Sequence, residues 1–193
     1  MAKSMGPRFK IVRRLGVNVF GHPKALTRGV ASRRKTSEYG EQLIEKQKLR
    51  MYYGVLEKQF RRYVNEAFKS ETNPGEVLVT LLERRLDNLV YRLGFAATLR
   101  QSRQMVVHGH ITVNGQRVDR PSFRVYPGDA IALNEKAKQM HTFVDNFRES
   151  ALSVPYLEKD VEGLSGKLVR MPQAGEIPIE VKISKVLEFY SGR

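Results

Sequence analysis

Cysteine is absent from this 193-residue chain, and no segment typical of those that direct a protein to a membrane or out of the cell is visible in it. Without cysteine there are no disulfides and no thiolate metal sites, which fits a reducing compartment. No run of apolar residues approaches the roughly 20 that cross a bilayer. The N-terminus has no apolar stretch followed by a small-residue cleavage site, as a signal peptide would. We therefore expect a soluble, cytoplasmic protein, or one in an organelle derived from such a compartment.

Motifs of the common catalytic and cofactor sites are missing too. The chain has no Gly-x-Ser-x-Gly, Walker-type or dinucleotide-binding glycine pattern and no carboxylate pair placed for acid–base work. His108 and His110 are close in sequence, but no cysteine or carboxylate pattern beside them completes a metal set. A hydrogen-bonding or base-stacking role, or a plain turn position, suits these histidines better. We predict a non-enzyme with no metal and no cofactor.

Positive charge is what the chain has in excess. It carries 34 Lys and Arg against 20 Asp and Glu, a net charge of +14, on an otherwise globular composition. Such an excess indicates a polyanionic partner, nucleic acid before an acidic membrane surface. The excess lies in two regions, residues 1–35 with ten basic groups and no acid, and residues 84–133 with a net of +5. All eight basic residues of the second region are arginines, whose planar forks suit phosphate.

Residues 1–35 form a basic arm in which glycines and prolines leave no sustained period of 2 or 3.6. Such a segment either becomes ordered against a nucleic-acid backbone or remains a solvated tail. Apolar residues between Phe9 and Phe20 favour at least partial docking on the protein, and we favour the nucleic-acid role.

Two helical segments are predicted after the arm. Residues 40–69 have helical periodicity with a break near Gly54, and Lys46 and Arg50 share one face. For that face, RNA contact and a solvated surface with local Glu57–Arg61 pairing are about equally supported. A further helix is predicted from Pro74, capped by Asn73, through to a stop at Gly94.

The region from Thr98 to Leu133 reads as a short helix followed by a small sheet. Thr98 and Gln101 form a capping-box pattern, so a helix should begin at Leu99 and end at His108-Gly109. The N-terminus of that helix, with Arg100 and Arg103 beside it, is a candidate phosphate site. Asn114-Gly115 predicts a type I′ hairpin in which Thr112 faces Arg117. Strands are predicted at 123–126 and 130–133, residues 135–149 should form a helix, and short strand-like pieces follow at 167–171 and 177–183.

These residues carry a resemblance to a known family. Part of the chain resembles the RNA-binding domain named after the fourth protein of the small ribosomal subunit. The motifs that carry this resemblance are ERRLDN at 83–88, YRLGFA at 91–96, RQ at 103–104, HGHITVNG at 108–115 and YPGD at 126–129. The bacterial ribosomal protein family itself (S4, or uS4) resembles this chain in the flanking motifs GPR at 6–8, YGEQL at 39–43, EKQKLR at 45–50, YGVLEKQFRRY at 53–63 and EFYS at 188–191. Together they cover nearly the whole chain.

The resemblance implies an α+β fold, with a mainly helical first domain and an inserted small RNA-binding domain of an αα-hairpin and strands. The expected bounds are 1–38 for the arm, 39–83 with 147–193 for the helical domain, and 84–146 for the insertion. It also implies binding to 16S ribosomal RNA at a helix junction of the 5′ domain, nucleation of subunit assembly and support of translational accuracy. The implied partners are the third and fifth small-subunit proteins and, in some members, the operon's own messenger. Some relatives bind zinc through cysteines in the arm, and with none here we expect no zinc.

The residues expected to contact RNA are basic or polar and fall in three regions. They are Arg8, Lys10, Arg13, Arg14, Arg28, Arg33 and Arg34 in the arm, Lys46, Arg50 and Arg62 in the helical segment, and Arg85, Arg100, Arg103, Gln104, His108, His110, Thr112, Asn114 and Arg117 in the inserted domain. A free-standing RNA chaperone or regulator is the main alternative. An RNA-modifying enzyme would need a catalytic domain that the short residues 134–193 do not indicate. A membrane-surface role is disfavoured, because no basic amphipathic helix with a broad apolar face accompanies the arm.

Overall fold

The computed structural model describes residues 6–31, 36–151 and 154–191. Its chain divides into two compact units. The first unit contains residues 1–78 and 178–193, and the second contains residues 79–177. Helices build the first unit, while the second combines helices with one antiparallel sheet, so the predicted α+β fold is confirmed.

The first unit begins with a helix that the sequence pattern did not predict. Helix α1 (Arg8–Leu15) buries Val12 and Leu15 together with Val19 and Ala25 from the following turns. Partly buried side chains of the next helix, among them Ile44, pack against this cluster. The arm is therefore docked on protein through its apolar residues, as their number suggested.

Two longer helices follow, broken near Gly54 as predicted. Helix α2 (Glu38–Tyr52) begins at Ser37, whose hydroxyl accepts a hydrogen bond from the Gly40 amide at 3.2 Å. Helix α3 (Glu57–Phe68) buries the predicted stripe of Phe60, Tyr63, Val64 and Ala67.

The helix predicted from Pro74 to Gly94 is interrupted, and this part of the prediction is wrong. Helix α4 (Pro74–Glu83) stops and helix α5 (Leu86–Arg92) begins after an extended residue, Arg85. The Leu86 amide donates to the Phe123 carbonyl at 2.9 Å, and residues 84–86 pair in this way with 123–125. The segment predicted as a strand at 123–126 therefore pairs with the residues between α4 and α5 and does not join the sheet.

Helix α6 (Leu99–Val107) packs against α5 and begins as the sequence predicted. The Thr98 hydroxyl accepts from the Gln101 amide at 3.2 Å, while the Gln101 side chain accepts from the Ala97 amide at 3.0 Å. This pair of reciprocal hydrogen bonds fixes the residue at which α6 begins.

A five-stranded antiparallel sheet follows α6, in the order β2-β1-β3-β5-β4. The strands are β1 (Ile111–Val113), β2 (Gln116–Arg117), β3 (Ala130–Leu133), β4 (Leu157–Asp160) and β5 (Ser165–Leu168). The turn between β1 and β2 has positive φ at both Asn114 (51°) and Gly115 (78°), as a type I′ turn requires. Thr112 faces Arg117 in the predicted register.

The helix predicted at 135–149 is present in two pieces, α7 (Glu135–Lys138) and α8 (His141–Glu149). Phe147 of α8 is fully buried and stacks on Phe95, with ring centroids 4.1 Å apart. This stack holds α8 against the end of α5 and the sheet core.

The bounds of the second unit differ from the predicted insertion at 84–146. Strand β5 pairs with β3, with Ile131 opposite Gly166, so residues after 146 complete the sheet. A 3-10 turn at Ala174–Glu176 ends this unit, and the strand predicted at 177–183 is not formed. Only residues from 178 onward return to the first unit.

Helix α9 (Ile183–Ser191) is that returning element, and it packs on α2. Val186, Phe189 and Tyr190 are buried there, and the Lys182 amide donates to Glu45 Oε2 at 2.8 Å. The apolar tail of the sequence thus completes the core of the first unit.

Candidate nucleic-acid interface

The arm carries an exposed basic surface, defined by Arg8, Lys10, Arg14 and Arg28. Since α1 turns its apolar side to α2, its cationic side chains are left toward solvent. Arg13 is partly buried, and its Nε donates to the Gly29 carbonyl at 3.2 Å, which ties the turn after α1 back to the helix. The predicted contacts Arg33 and Arg34 lie outside the described residues.

In the helical segment, two of the three predicted contacts are inside the protein. Lys46 is 5% exposed, with its Nζ 3.0 Å from Glu57 Oε2 and 4.8 Å from the ring centre of Phe189. Arg50 Nη1 lies 2.9 Å from the same Glu57 oxygen. Both cations neutralise a carboxylate between α2, α3 and α9, and RNA contact by this pair stays a prediction that competes with this internal role. Arg62 is exposed on α3 and remains a candidate.

Glu57 holds this cluster together. Its Oε1 accepts from the Tyr190 hydroxyl at 2.6 Å, so it draws its partners from α2 and α9, whereas the alternative had paired it with Arg61. Burial by itself would raise the pKa of Glu57. The hydrogen bonds from Tyr190 and Lys46 and the charges of Lys46 and Arg50 outweigh burial, and the pKa lies below its ordinary value.

In the second unit, the buried carboxylate of Asp87 collects two of the predicted arginines. Arg85 is 2% exposed and binds Asp87 with both Nε (3.0 Å) and Nη2 (2.8 Å). Arg103 Nη2 lies 2.6 Å from Asp87 Oδ2, and its side chain is one-fifth exposed. A guanidinium that neutralises a fully buried carboxylate has a structural role, so RNA contact by Arg85 and Arg103 stays a prediction that competes with this role.

A second buried carboxylate, Glu83, has the same effect one turn earlier. It is fully buried and accepts from Arg92 Nη2 at 2.8 Å, from the Tyr156 hydroxyl at 2.9 Å and from the Asn88 amide. Burial, followed by the negative charge of Glu83, raises the pKa of Tyr156. The hydroxyl therefore stays protonated as a donor and fastens β4 to the end of α4.

The remaining side of α6 is exposed and forms a row of RNA-type contacts. Arg100, Gln104 and His108 are spaced four residues apart, which places them on one helix face, and all three are exposed. Arg117 continues the row, because its side chain lies across Gly109, where a Cβ would collide with Arg117 Nε. We call these four residues the helix–hairpin face.

His110 lies beside that face but is partly buried. Its ring centre is 6.1 Å from that of His108 and 5.4 Å from that of Phe143. Burial first, and then the positive charges of His108 and Arg117, lower the pKa of His110. A neutral ring next to two donors can accept a hydrogen bond, which a charged one cannot.

Thr112 and Asn114 have internal partners. The Thr112 hydroxyl donates to the Ala132 carbonyl at 3.3 Å. The Asn114 amide donates to Asp129 Oδ1 at 2.8 Å, and its oxygen accepts from the Ala130 amide at 2.9 Å. Asn114 is exposed, yet its hydrogen-bonding groups hold the hairpin turn to the next loop. The predicted contact of Asn114 with RNA would therefore compete with these two hydrogen bonds.

Sequence reasoning missed Asp87 as the residue that positions α6. Its carboxylate accepts from Arg85 and Arg103, and its backbone carbonyl accepts from the Ser102 hydroxyl at 2.7 Å. Asp87 therefore connects α5 to α6 through both its side chain and its backbone. A signal was present, because Asp87 is one of only three acids among residues 84–133. An acidic residue in a stretch this rich in arginine is well placed to pair with one of those arginines inside the protein.

Two negative findings hold for residues 6–31, 36–151 and 154–191. None of their helices has both the length and the apolar character needed to cross a membrane. Nor do their His, Asp and Glu side chains gather in groups of three or more suited to a metal ion.

Comparison with known proteins gives matches over the whole chain. The family described as "Ribosomal protein S4/S9 N-terminal domain" matches residues 3–83, and the family described as "S4 domain" matches residues 84–131. "Small ribosomal subunit protein uS4B" of Clostridium acetobutylicum is 61% identical over 191 residues, 99% of each chain. "Small ribosomal subunit protein uS4" of Finegoldia magna is 50% identical, and that of Geobacillus sp. is 47% identical, each over 99% of this chain and all of the relative.

Proposed function

Since the chain belongs to the uS4 family of small ribosomal subunit proteins, a structural and non-enzymatic family, we propose that it binds 16S ribosomal RNA directly, at a helix junction of the 5′ domain. The observation that carries this proposal is that each of the two units presents a basic surface with side chains open to solvent. The first unit has the arm surface, and the second has the helix–hairpin face.

The chemistry of the two surfaces differs, which supports two kinds of contact. The arm surface consists of cations alone, suited to phosphates of any sequence. The helix–hairpin face adds Gln104 and His108 between Arg100 and Arg117, and these can hydrogen-bond to sugars or base edges. Arg100 is exposed in the first turn of α6, and the N-terminus of a helix favours a phosphate there.

The family further supports a role in building and tuning the subunit. We infer that this protein nucleates assembly of the small subunit and supports translational accuracy. We also infer that it neighbours the third and fifth small-subunit proteins and represses its own operon messenger. The resemblance of the flanking motifs to the family, together with the high identity to relatives named uS4, supports these inferences.

Binding of the purified protein to a transcript of the 16S 5′ domain, measured over a series of salt concentrations, tests the RNA-binding proposal. If about six phosphates are neutralised, the slope of log K against log salt should be near −5, at about −0.9 per contact. A transcript of equal length from another 16S domain serves as the control and should bind more weakly. A nearly flat salt dependence, or equal affinity for both transcripts, contradicts the proposal.

Sedimentation separates the ribosomal role from a free-standing RNA chaperone or regulator. A structural constituent should co-migrate with small subunits through a gradient in high salt. A chaperone or regulator should remain at the top of that gradient, because its RNA contacts dissociate as salt competes for the phosphates. That outcome would leave RNA binding intact and reject the ribosomal assignment.

A further inference from the structure

Tyr126 is the most exposed aromatic side chain among the described residues, and one face of its ring rests on a buried cation. Tyr126 is 54% exposed, and the guanidinium carbon of Arg84 lies 4.3 Å from the centre of its ring. Arg84 itself is only 9% exposed. An aromatic ring in water with a cation beneath it needs an explanation, because burying the ring would stabilise the fold more.

The loop that carries Tyr126 is held from several sides. The Tyr126 amide donates to Asp129 Oδ2 at 2.7 Å, and the Gly128 amide donates to the Leu168 carbonyl at 2.7 Å. The other Asp129 oxygen is bound by Asn114, so the loop is joined to the tip of the β1–β2 hairpin. The ring is therefore presented in a fixed position, and little conformational entropy is lost when something binds to it.

Arg84 is committed to the ring. Its Nε donates to the Val125 carbonyl at 2.9 Å, while its buried Nη2 has no hydrogen-bond acceptor within the described part of the chain. The guanidinium thus has the π face of Tyr126 as its neighbour where an acceptor would otherwise be expected. This contact draws electron density from the ring, and its outward face becomes a better surface for an electron-rich aromatic group.

We propose that the outward face of Tyr126 stacks on an unpaired base of the bound RNA, in an inference that rests on the RNA-binding function proposed above. Every nucleobase has a π face, and exposed aromatics on basic domains are the usual platforms for such bases. The charge favours this occupant, because residues 84–133 carry a net of +5 and attract a polyanion. Access is open, since Tyr126 is more than half exposed.

Three proteins test the stack, the wild type, Tyr126→Phe and Tyr126→Leu, each bound to the 5′-domain transcript over a salt series. Tyr126→Leu should bind about 5- to 100-fold more weakly, the range for losing one stacked base. Tyr126→Phe keeps the ring and should stay within about twofold of the wild type. The salt slope should be the same for all three, because no phosphate contact is changed. Equal thermal unfolding midpoints would show that Arg84 and its loop are undisturbed.

Photo-crosslinking of the unaltered protein gives a second test that does not depend on a variant folding. Irradiation at 254 nm should link the RNA to the tryptic fragment of residues 125–136, whose only aromatic residue is Tyr126. Mass spectrometry of that fragment identifies the linked nucleotide. Absence of this crosslink, together with wild-type affinity for Tyr126→Leu, overturns the inference.

Other outcomes also overturn it and indicate why. Equal weakening by Tyr126→Phe and Tyr126→Leu would assign the contact to the hydroxyl group. Normal binding of Tyr126→Leu to bare RNA with poor incorporation into complete subunits would assign Tyr126 to a protein partner. If the wild type itself shows no salt-dependent binding, the RNA-binding function has failed, whereas wild-type binding matched by Tyr126→Leu rejects the stack alone.

Discussion

The two sides of helix α6 place the same residue type in opposite roles. Arg103 faces inward and lies 2.6 Å from the buried carboxylate of Asp87, whereas Arg100, one turn earlier, is exposed at the start of the helix. Their spacing and chemistry give no hint of this difference. What separates them is the position of one acid on α5. The number of arginines in the sequence therefore overestimates the size of a binding surface, because some of them pair with buried acids.

The first unit repeats the contrast on neighbouring helices. Lys46 of α2 is directed at Glu57 and Phe189, while Arg62 of α3 points to solvent. In both units the inward cations join helices to one another, and the outward ones are exposed to solvent. Changing a residue from each set should consequently affect different measurements, stability in one case and RNA binding in the other.

The largest expected effect comes from removing the acid on the inward side of α6. Asp87→Ala would remove the carboxylate that the buried guanidinium of Arg85 binds with two nitrogens, and we expect a loss of about 3–5 kcal/mol in the free energy of unfolding. Urea unfolding followed by circular dichroism measures it. Asp119→Ala, which removes an exposed acid from the same unit, should change stability by less than about 0.5 kcal/mol. Similar losses for the two variants would contradict the inward role of Asp87.

The outward side of α6 should respond in the opposite way. Arg100→Ala combined with Arg117→Ala should leave unfolding nearly unchanged and reduce the salt slope of RNA binding by about 2, or roughly one per lost phosphate contact. Arg148→Ala, an exposed arginine of α8 outside the helix–hairpin face, is the matched control and should leave the slope as it is. An unchanged slope in the double variant would remove this face from the RNA interface.

A smaller, pH-dependent effect tests the inward cations of the first unit. Because the pKa of Glu57 is lowered in the folded protein, its ionised form stabilises the fold above the ordinary glutamate pKa of about 4.3. That contribution is lost as the pH falls below this value and through the lowered pKa. Glu57→Gln should therefore be less stable than the wild type at pH 7, and the gap should narrow toward pH 3. Glu71→Gln, at an exposed position, is the control. A gap that stays constant with pH would mean that the charge of Glu57 does not hold Lys46 and Arg50.

Local signals in the sequence were sufficient for the elements whose ends depend on their own residues. The Thr98 cap, the stop at Gly109 and the Asn114-Gly115 turn are where the pattern predicted them, because each is decided within a few residues. The RNA contacts predicted for the arm and the helix–hairpin face were read from local charge and polarity, and they stay predictions.

Features decided by distant residues could not be predicted in this way. Leucine spacing favoured one helix through residue 93, but backbone pairing with residues about 38 positions later breaks it at Arg85. The inward positions of Arg85 and Arg103 depend on two guanidinium groups, one from the N-cap of α5 and one from α6, meeting at the carboxylate of Asp87. In the second half of the sheet, the strand-like piece predicted at 167–171 overlaps β5, whereas β4 was missed because it is short and shows no apolar alternation.

The return of α9 to α2 sets an order of events during synthesis. A chain emerges from its N-terminus, so residues 79–177 are complete while the segment that buries Phe189 and Tyr190 does not yet exist. At about 5–20 residues per second, the last stretch takes on the order of a second to appear. During that interval the second unit is free to fold, and the α2 surface around Lys46 is still open to water. The Tyr190 hydroxyl can therefore bind Glu57 and complete the ion cluster only after the chain is nearly finished.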